Sequence, residues 1–183
     1  MRIVGGTYRG KRLASPVDNA IRPTSDRVRE AIFNVLSHNV PPLPFGAAVL
    51  DLFCGTGAFG LEAISRGART VTFVDEAPSS LRLARDNATS LGVQSNCTFV
   101  KADAARLRNA TSPADLVFAD PPYGKSLIRP ALIGAIATGW IGETTVIIVE
   151  TPTGEDIELP EEFLIDRQWI YGQTKITRIS LAS

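Results

Sequence analysis

Asp51-Leu52-Phe53-Cys54-Gly55-Thr56-Gly57-Ala58-Phe59-Gly60 decides the fold of this 183-residue chain. It continues an apolar run, 48–52, suited to a buried strand, and leads into residues 58–66, whose apolar spacing is helical. Gly55, Gly57 and Gly60 satisfy G-x-G-x-x-G, a turn that brings backbone close to a nucleotide at a helix start. Working outward, the strand-then-helix unit recurs. Runs at 70–74, 98–100, 116–119 and 145–149 read as strands, 79–91 and 127–137 as helices, and a short helix is expected near 104–107. Apolar strands alternating with amphipathic helices predict an α/β fold with a mostly parallel sheet covered on both faces. Residues 163–171 and 175–181, separated by Gly172-Gln173, carry no helix signal and are expected to close the sheet as an antiparallel hairpin.

Upstream of the first strand, Thr24 or Ser25 can cap a helix whose Val28, Ala31, Ile32, Val35 and Leu36 fall at helical spacing, and Pro41, Pro42 and Pro44 stop it. His38, the single histidine, sits at that helix end, where a cation suits the helix dipole. The length fits one domain, with a basic arm and helix at 1–45 ahead of a catalytic core at 46–183. Net charge is zero, but residues 1–37 hold seven Lys/Arg against three acids, a net of +4 that leaves −4 for the remainder. Arginines among Gly5, Gly6, Tyr8 and Gly10 predict a mobile arm that contacts phosphates. No apolar run approaches the ~20 residues that cross a bilayer, and the first ten residues lack a signal-peptide block, so a cytoplasmic protein is expected. Cys54 and Cys97 have neither metal-site spacing nor a nearby histidine, and both read as reduced structural thiols.

The glycines alone leave a dinucleotide-binding domain open, because Asp75 ends the second strand 20 positions after Gly55. Asp51 argues against it. A pyrophosphate over this turn would meet a like charge at the strand tip, whereas S-adenosylmethionine carries an ammonium and a sulfonium and no phosphate. The expected donor set is therefore Asp51, Phe53, Gly55, Thr56 and Gly57, with Asp75 and Glu76 toward the ribose hydroxyls and Asp103 with Ala104 toward the adenine.

After the strand 116–119 stand Asp120, Pro121, Pro122 and Tyr123. Two prolines are an ordinary way to end a strand. Beside a donor loop the same tetrapeptide suits amino-group methylation: the Asp120 carboxylate and Pro121 carbonyl accept from a planar amine while Tyr123 stacks on its ring. In a doubly wound sheet ligands lie beyond the carboxyl ends of the strands, at the switch point, so Asp51 and Asp120 bring donor and acceptor together. No metal is needed. Competing acceptors are adenine N6 or cytosine N4 in DNA or RNA and a glutamine amide, from which Asp at position 120 leans away. A non-catalytic nucleotide-binding module is the rival of a different class.

On these motifs the chain resembles the RsmD family, the guanine-N2 methyltransferases of small-subunit ribosomal RNA. The resemblance is carried by Arg2-Ile3-Val4-Gly5-Gly6 with Tyr8-Arg9-Gly10, by Arg22-Pro23-Thr24-Ser25-Asp26-Arg27-Val28-Arg29-Glu30, by the glycine loop and by Asp120-Pro121-Pro122-Tyr123. The second segment is the specific one, since the glycine loop and D-P-P-Y occur in many amino methyltransferases. Many relatives have Phe at the last motif position, and Tyr123 keeps the stacking ring. The resemblance implies a class I, Rossmann-like, seven-stranded methyltransferase fold and S-adenosyl-L-methionine as donor. It also implies a guanosine of 16S rRNA, commonly numbered 966, as acceptor. The partner would be 16S rRNA within a partly or fully assembled small subunit. Arg2, Arg9, Lys11, Arg12, Arg22, Thr24 and Arg27 are the expected RNA contacts. Guanine follows from the resemblance alone.

Overall fold

The computed structural model describes residues 1–15 and 26–182; Arg22, Thr24 and Ser25, expected to contact RNA or cap a helix, lie outside the described residues. In chain order the elements are α1 (Asp26–Leu36), β1 (Ala48–Leu52), α2 (Ala58–Ser65), β2 (Thr70–Asp75), α3 (Pro78–Leu91), β3 (Cys97–Lys101), β4 (Leu116–Ala119), α4 (Ile128–Ala137), β5 (Val146–Pro152), β6 (Phe163–Tyr171) and β7 (Thr174–Leu181). The strands form a seven-stranded sheet of order β3-β2-β1-β4-β5-β7-β6. The first five are parallel, and β7 pairs antiparallel with both β5 and β6. The expected sheet and hairpin are both present.

Alternation along the central strands divides the core between the two faces. Val49, Leu116, Phe118 and Ile148 pack with α1, α2 and α3, while Leu50, Leu52, Val117, Ala119, Ile147 and Val149 pack with α4. Every residue of β4 is buried, as a central parallel strand requires. On the first face Phe33, Phe59 and Phe118 stack at centroid separations of 4.8 and 3.8 Å, each pair adding ~0.5–1.5 kcal/mol to its area burial. This stack fixes α1 and α2 against the tip of β4.

Two boundaries differ from the sequence reading. The expected helix at 104–107 is a turn: the Asp103 carboxylate accepts from Ala105 N at 2.9 Å and its carbonyl accepts from Arg106 N at 2.9 Å. An Asx turn competes with helix for the same backbone donors, and here it ends the segment after one turn. Strand β5 runs on to Pro152 because β7 continues to pair with it through Glu150↔Ile176, Thr151↔Lys175 and Pro152↔Thr174.

The larger correction concerns the basic arm, which is docked and not mobile. Residues 1–14 fold back on themselves, with an Arg2↔Arg12 bridge, Ile3 N donating to Lys11 O at 2.9 Å and Gly10 N to Ile3 O at 2.8 Å. Ile3 and Leu13 are buried in the core of the first face. Glu62 of α2, 0% exposed, accepts from Val4 N at 2.8 Å and Gly5 N at 2.7 Å, and pairs with Arg66 at 2.8 Å and Arg29 at 3.5 Å. Ser65 Oγ accepts from Tyr8 N and donates to Gly5 O. Gly6 has φ +74, and a Cβ there would run into the Ser65 carbonyl, so only glycine allows this approach. Glycines and arginines gave the segment the composition of a tail; buried polar groups distant in sequence supply the partners its backbone needs.

Candidate active site

The ladders set the tips of β1, β2 and β4 level with one another, through Leu52↔Val74 and Leu52↔Ala119. Phe53 follows at φ 57, a left-handed conformation that costs a non-glycine residue of order 1–2 kcal/mol and turns the chain sharply out of the strand. The loop is then tied down by backbone. Cys54 N donates to Val74 O at 3.0 Å, and Gly57 caps α2 at φ 75, where a Cβ would come within 2.9 Å of Ala84 Cβ. Gly60 serves packing, since a Cβ there would enter the Phe73 ring.

Each acid of the expected donor set has a definite place. Asp51 lies beneath the loop, not on its open side: it is 1% exposed and its Oδ2 accepts from Gly60 N at 3.0 Å. Burial, with the nearby Asp75 charge, holds its carboxyl well above the usual carboxylate range, opposed by the Gly60 hydrogen bond. The side chain that sequence reading set against the ligand's charges thus braces the loop from below. Asp75 is half-buried and bridges the loop to α3, accepting from Gly55 N at 3.0 Å and Ala77 N at 2.8 Å. Glu76 beside it is exposed, Asp103 is half-buried in its Asx turn, and Ala104 is buried. Thr56 is buried, and its carbonyl accepts from Asn87 Nδ2 at 3.0 Å. Burial raises the Cys54 thiol far above its usual range and pushes Cys97 up to about 11, so both stay protonated and unreactive.

One strand over, Asp120 is half-buried at the tip of β4, Pro121 is buried and Pro122 is exposed. Tyr123 is 43% exposed. The loop beyond it is tethered where Gly124 N donates to Glu155 Oε2 at 3.3 Å. The register Leu52↔Ala119 sets Phe53 and Asp120 on neighbouring strand tips, so the glycine loop and the D-P-P-Y tetrapeptide share one edge of the sheet.

Arg2, Arg9, Lys11, Arg12 and Arg27 are all exposed. Arg2, Arg9 and Arg27 line a cleft of about 330 Å³ between the arm and α1, with Asp26 and Glu30 among its walls. Arg2 is held by Asp26 at 3.3 Å. Sequence reading missed Glu62, Asn87 and Glu150, all buried. Glu62 alone left a signal, as the one charge in the otherwise apolar A-F-G-L-E-A-I-S of α2. Among the described residues no His/Cys/Asp/Glu group could hold a metal, and no helix is long and apolar enough to cross a membrane.

Comparison with known proteins places this geometry. Residues 1–180 match the family model described as Conserved hypothetical protein 95. The chain is 33% identical to the ribosomal RNA small subunit methyltransferase D of Escherichia coli (strain K12), covering 94% of this chain and 86% of that protein. To the protein of the same name from Haemophilus influenzae it is 30% identical, over 94% of this chain and 89% of the relative. A solved structure described as "Putative methyltransferase yhhF from Escherichia coli" superposes with a TM-score of 0.82 at 29% identity, covering 100% of this chain and 98% of that one. The sheet order and these relatives give the class I, Rossmann-like methyltransferase fold, and the chain is a methyltransferase belonging to the RsmD family.

Proposed function

We propose that this enzyme transfers a methyl group from S-adenosylmethionine to the exocyclic N2 amine of a guanosine in small-subunit ribosomal RNA. The observation that carries the reading is the shared edge: the backbone-tied glycine loop after β1 and the D-P-P-Y after β4 stand on adjacent strand tips. The relatives' names add the substrate class, since the E. coli and H. influenzae proteins are small-subunit ribosomal RNA methyltransferases. Asp103 stands beyond the tip of β3, and Asp75 and Glu76 stand at the tip of β2. This series of acids with a glycine floor suits a cationic, adenine- and ribose-bearing ligand. Phe53, Gly55, Thr56, Gly57 and Ala104 would line its seat, with Asp51 bracing from beneath. When bound, that ligand supplies an electrophilic methyl group on a sulfonium.

The chain's own residues then act on the amine. The lone pair of an exocyclic guanine nitrogen is delocalised into the ring, and hydrogen bonds from its N–H groups to the Asp120 carboxylate and Pro121 carbonyl favour a pyramidal nitrogen. Holding that nitrogen in line with the methyl group lowers the barrier by proximity. Asp120 is also placed to accept a proton from the methylated, acidic nitrogen, for which an ordinary carboxylate suffices. Tyr123, with its ring exposed at the loop, stacks on a base splayed out of the RNA. The arm and α1 anchor the backbone through Arg2, Arg9, Lys11, Arg12 and Arg27, and Arg22 and Thr24 belong to the same proposed surface. A ribosomal substrate places the enzyme in the cytoplasm.

The test uses purified protein, methyl-labelled donor and small subunits from cells lacking this modification. Label recovered as N2-methylguanosine in 16S rRNA is expected; label only on adenine or cytosine, or none on RNA, overturns the reading. The RNA surface is tested by the Arg9→Glu/Arg12→Glu variant, because deleting the arm would strip Glu62 of its partners. The slope of log affinity against log salt should become shallower by ~0.7–0.9 for each phosphate that is no longer neutralised, with donor affinity unchanged. An unaltered slope would put RNA on another surface.

A further inference from the structure

We propose that Asn87 of α3 is a positioning residue that ties the shape of the donor loop to the docked arm, so that donor binding and arm docking strengthen each other. The inference goes beyond the reaction proposed above and rests on its donor seat. Asn87 is 2% exposed and stands with Ala84, Ala88 and Leu91 on the buried face of α3. An amide in such a place costs stability unless its polar atoms are answered. Here they are answered by two segments far apart in sequence. Nδ2 donates to Thr56 O at 3.0 Å and to Ala14 O at 3.2 Å, while Oδ1 accepts from Ala14 N at 2.8 Å.

Both ends of the arm reach the middle of the loop. Thr56 lies between Gly55 and Gly57, and its hydroxyl donates to Met1 Sδ at 3.7 Å. Met1 and the residue before Ala14 are themselves joined, since Leu13 N donates to Met1 O at 3.2 Å. Asp51 and Asp75 hold the flanks of the loop through Gly60 and Gly55, so Thr56 is the part whose side-chain partners come from the arm and from Asn87.

The amide plane is the link. Ala14 presents an N–H and a C=O, which fix the end of the Asn87 amide that carries the oxygen and the way its plane lies; the second N–H is then directed at Thr56 O. The last torsion of asparagine is soft, so without Ala14 the plane turns and the Thr56 carbonyl loses a fixed donor. Gly55 and Gly57, at φ 51 and 75, then let Thr56 shift. A donor that needs the loop in its present shape favours the docked arm, and by reciprocity the docked arm favours the donor. Arg9 and Arg12 stand on this same hairpin, so a filled donor seat presents the proposed RNA contacts in their docked place.

The experiment uses the full chain, with S-adenosylhomocysteine as the probe of the donor seat. In the parent, saturating probe should slow hydrogen exchange at Val4 and Gly5, whose partner is Glu62 and not the loop, by about fivefold or more. Asn87→Ala should weaken the probe in calorimetry by a similar factor and abolish its effect on those two amides. Where Asn87→Ala fails to fold, Ala14→Pro carries the test: it deletes the N–H that Asn87 accepts, at an exposed position, and leaves Asn87 in place. The same two losses are expected. A purely structural Asn87 gives another pattern, with faster exchange in the variants but the parent's slowing factor on adding probe. That pattern, or a parent in which bound probe leaves Val4 and Gly5 unchanged, overturns the inference while the donor seat stands. A parent that binds no probe removes the donor seat as well.

Discussion

The proposed donor side of the strand edge and the proposed acceptor side are built differently. On the donor side the acids are engaged with the chain's own backbone: Asp51 with Gly60, Asp75 with Gly55 and Ala77, Asp103 with Ala105. The loop shape therefore exists before any ligand arrives. On the acceptor side Pro122 and Tyr123 are exposed, and Gly124 N reaches Glu155 Oε2 by a long hydrogen bond of 3.3 Å. A small, invariant donor can be met by a rigid cradle at little ordering cost, whereas a base presented by a large RNA needs a surface that the base completes. The difference predicts which substitutions damage chemistry, which damage the fold and which damage docking.

Asp120→Ala is the sharpest break and the largest effect. Turnover should fall about a thousandfold, as for other groups aimed at a reacting atom, while calorimetric affinity for the donor product stays within about twofold. A variant that kept a tenth of parental activity would remove the amine-orienting role. Asp75→Ala should instead cost donor affinity and stability together. Two backbone N–H groups lose a charged acceptor, and ~1–3 kcal/mol of stability should disappear in a denaturant titration. If stability falls and donor affinity does not, the bridge is purely structural and the donor seat lies elsewhere.

Tyr123→Ala comes next. Loss of a stacking face should raise KM for RNA by the equivalent of ~1–3 kcal/mol with no change in melting temperature, since the ring is 43% exposed. Tyr123→Phe should be close to neutral. The smallest effect is a pH dependence. Because the folded-state pKa of Asp51 is raised above its unfolded value, the folded state binds the extra proton, so its contribution is fully present below the ordinary carboxylate range. That contribution is lost as pH rises toward the raised value. The stability difference between the parent and Asp51→Asn should therefore shift against the parent as pH climbs through that window, measured by urea midpoints. A difference independent of pH would mean that the folded carboxyl titrates as it does in the unfolded chain.

Much of this was legible in the sequence because the deciding signals are local. G-x-G-x-x-G and D-P-P-Y each occupy a few consecutive residues after an apolar run, and the rule that ligands sit at the switch point then brings the two motifs together. The acids at the tips were found for the same reason. Their hydrogen bonds were not, since nothing local says that Asp51 reaches under the loop to Gly60, nine residues on. The helix expected at 104–107 failed on a single Asp103 side chain. The arm's docking depends on Glu62, Ser65 and Asn87, residues far along the chain that only the fold brings to it, so composition misread it.

The grip of Glu62, Ser65 and Asn87 on the arm has a consequence in time. Val4 and Gly5 find their partner 58 and 57 residues later, and Ala14 meets Asn87 across 73. As the chain leaves the ribosome, this first hairpin remains without its buried carboxylate until α2 has emerged, and without its last latch until α3 has. Contacts of such sequence separation form late and slow the search. The arm is thus made well before it can settle, and a nascent chain halted before residue 87 should leave it open to protease.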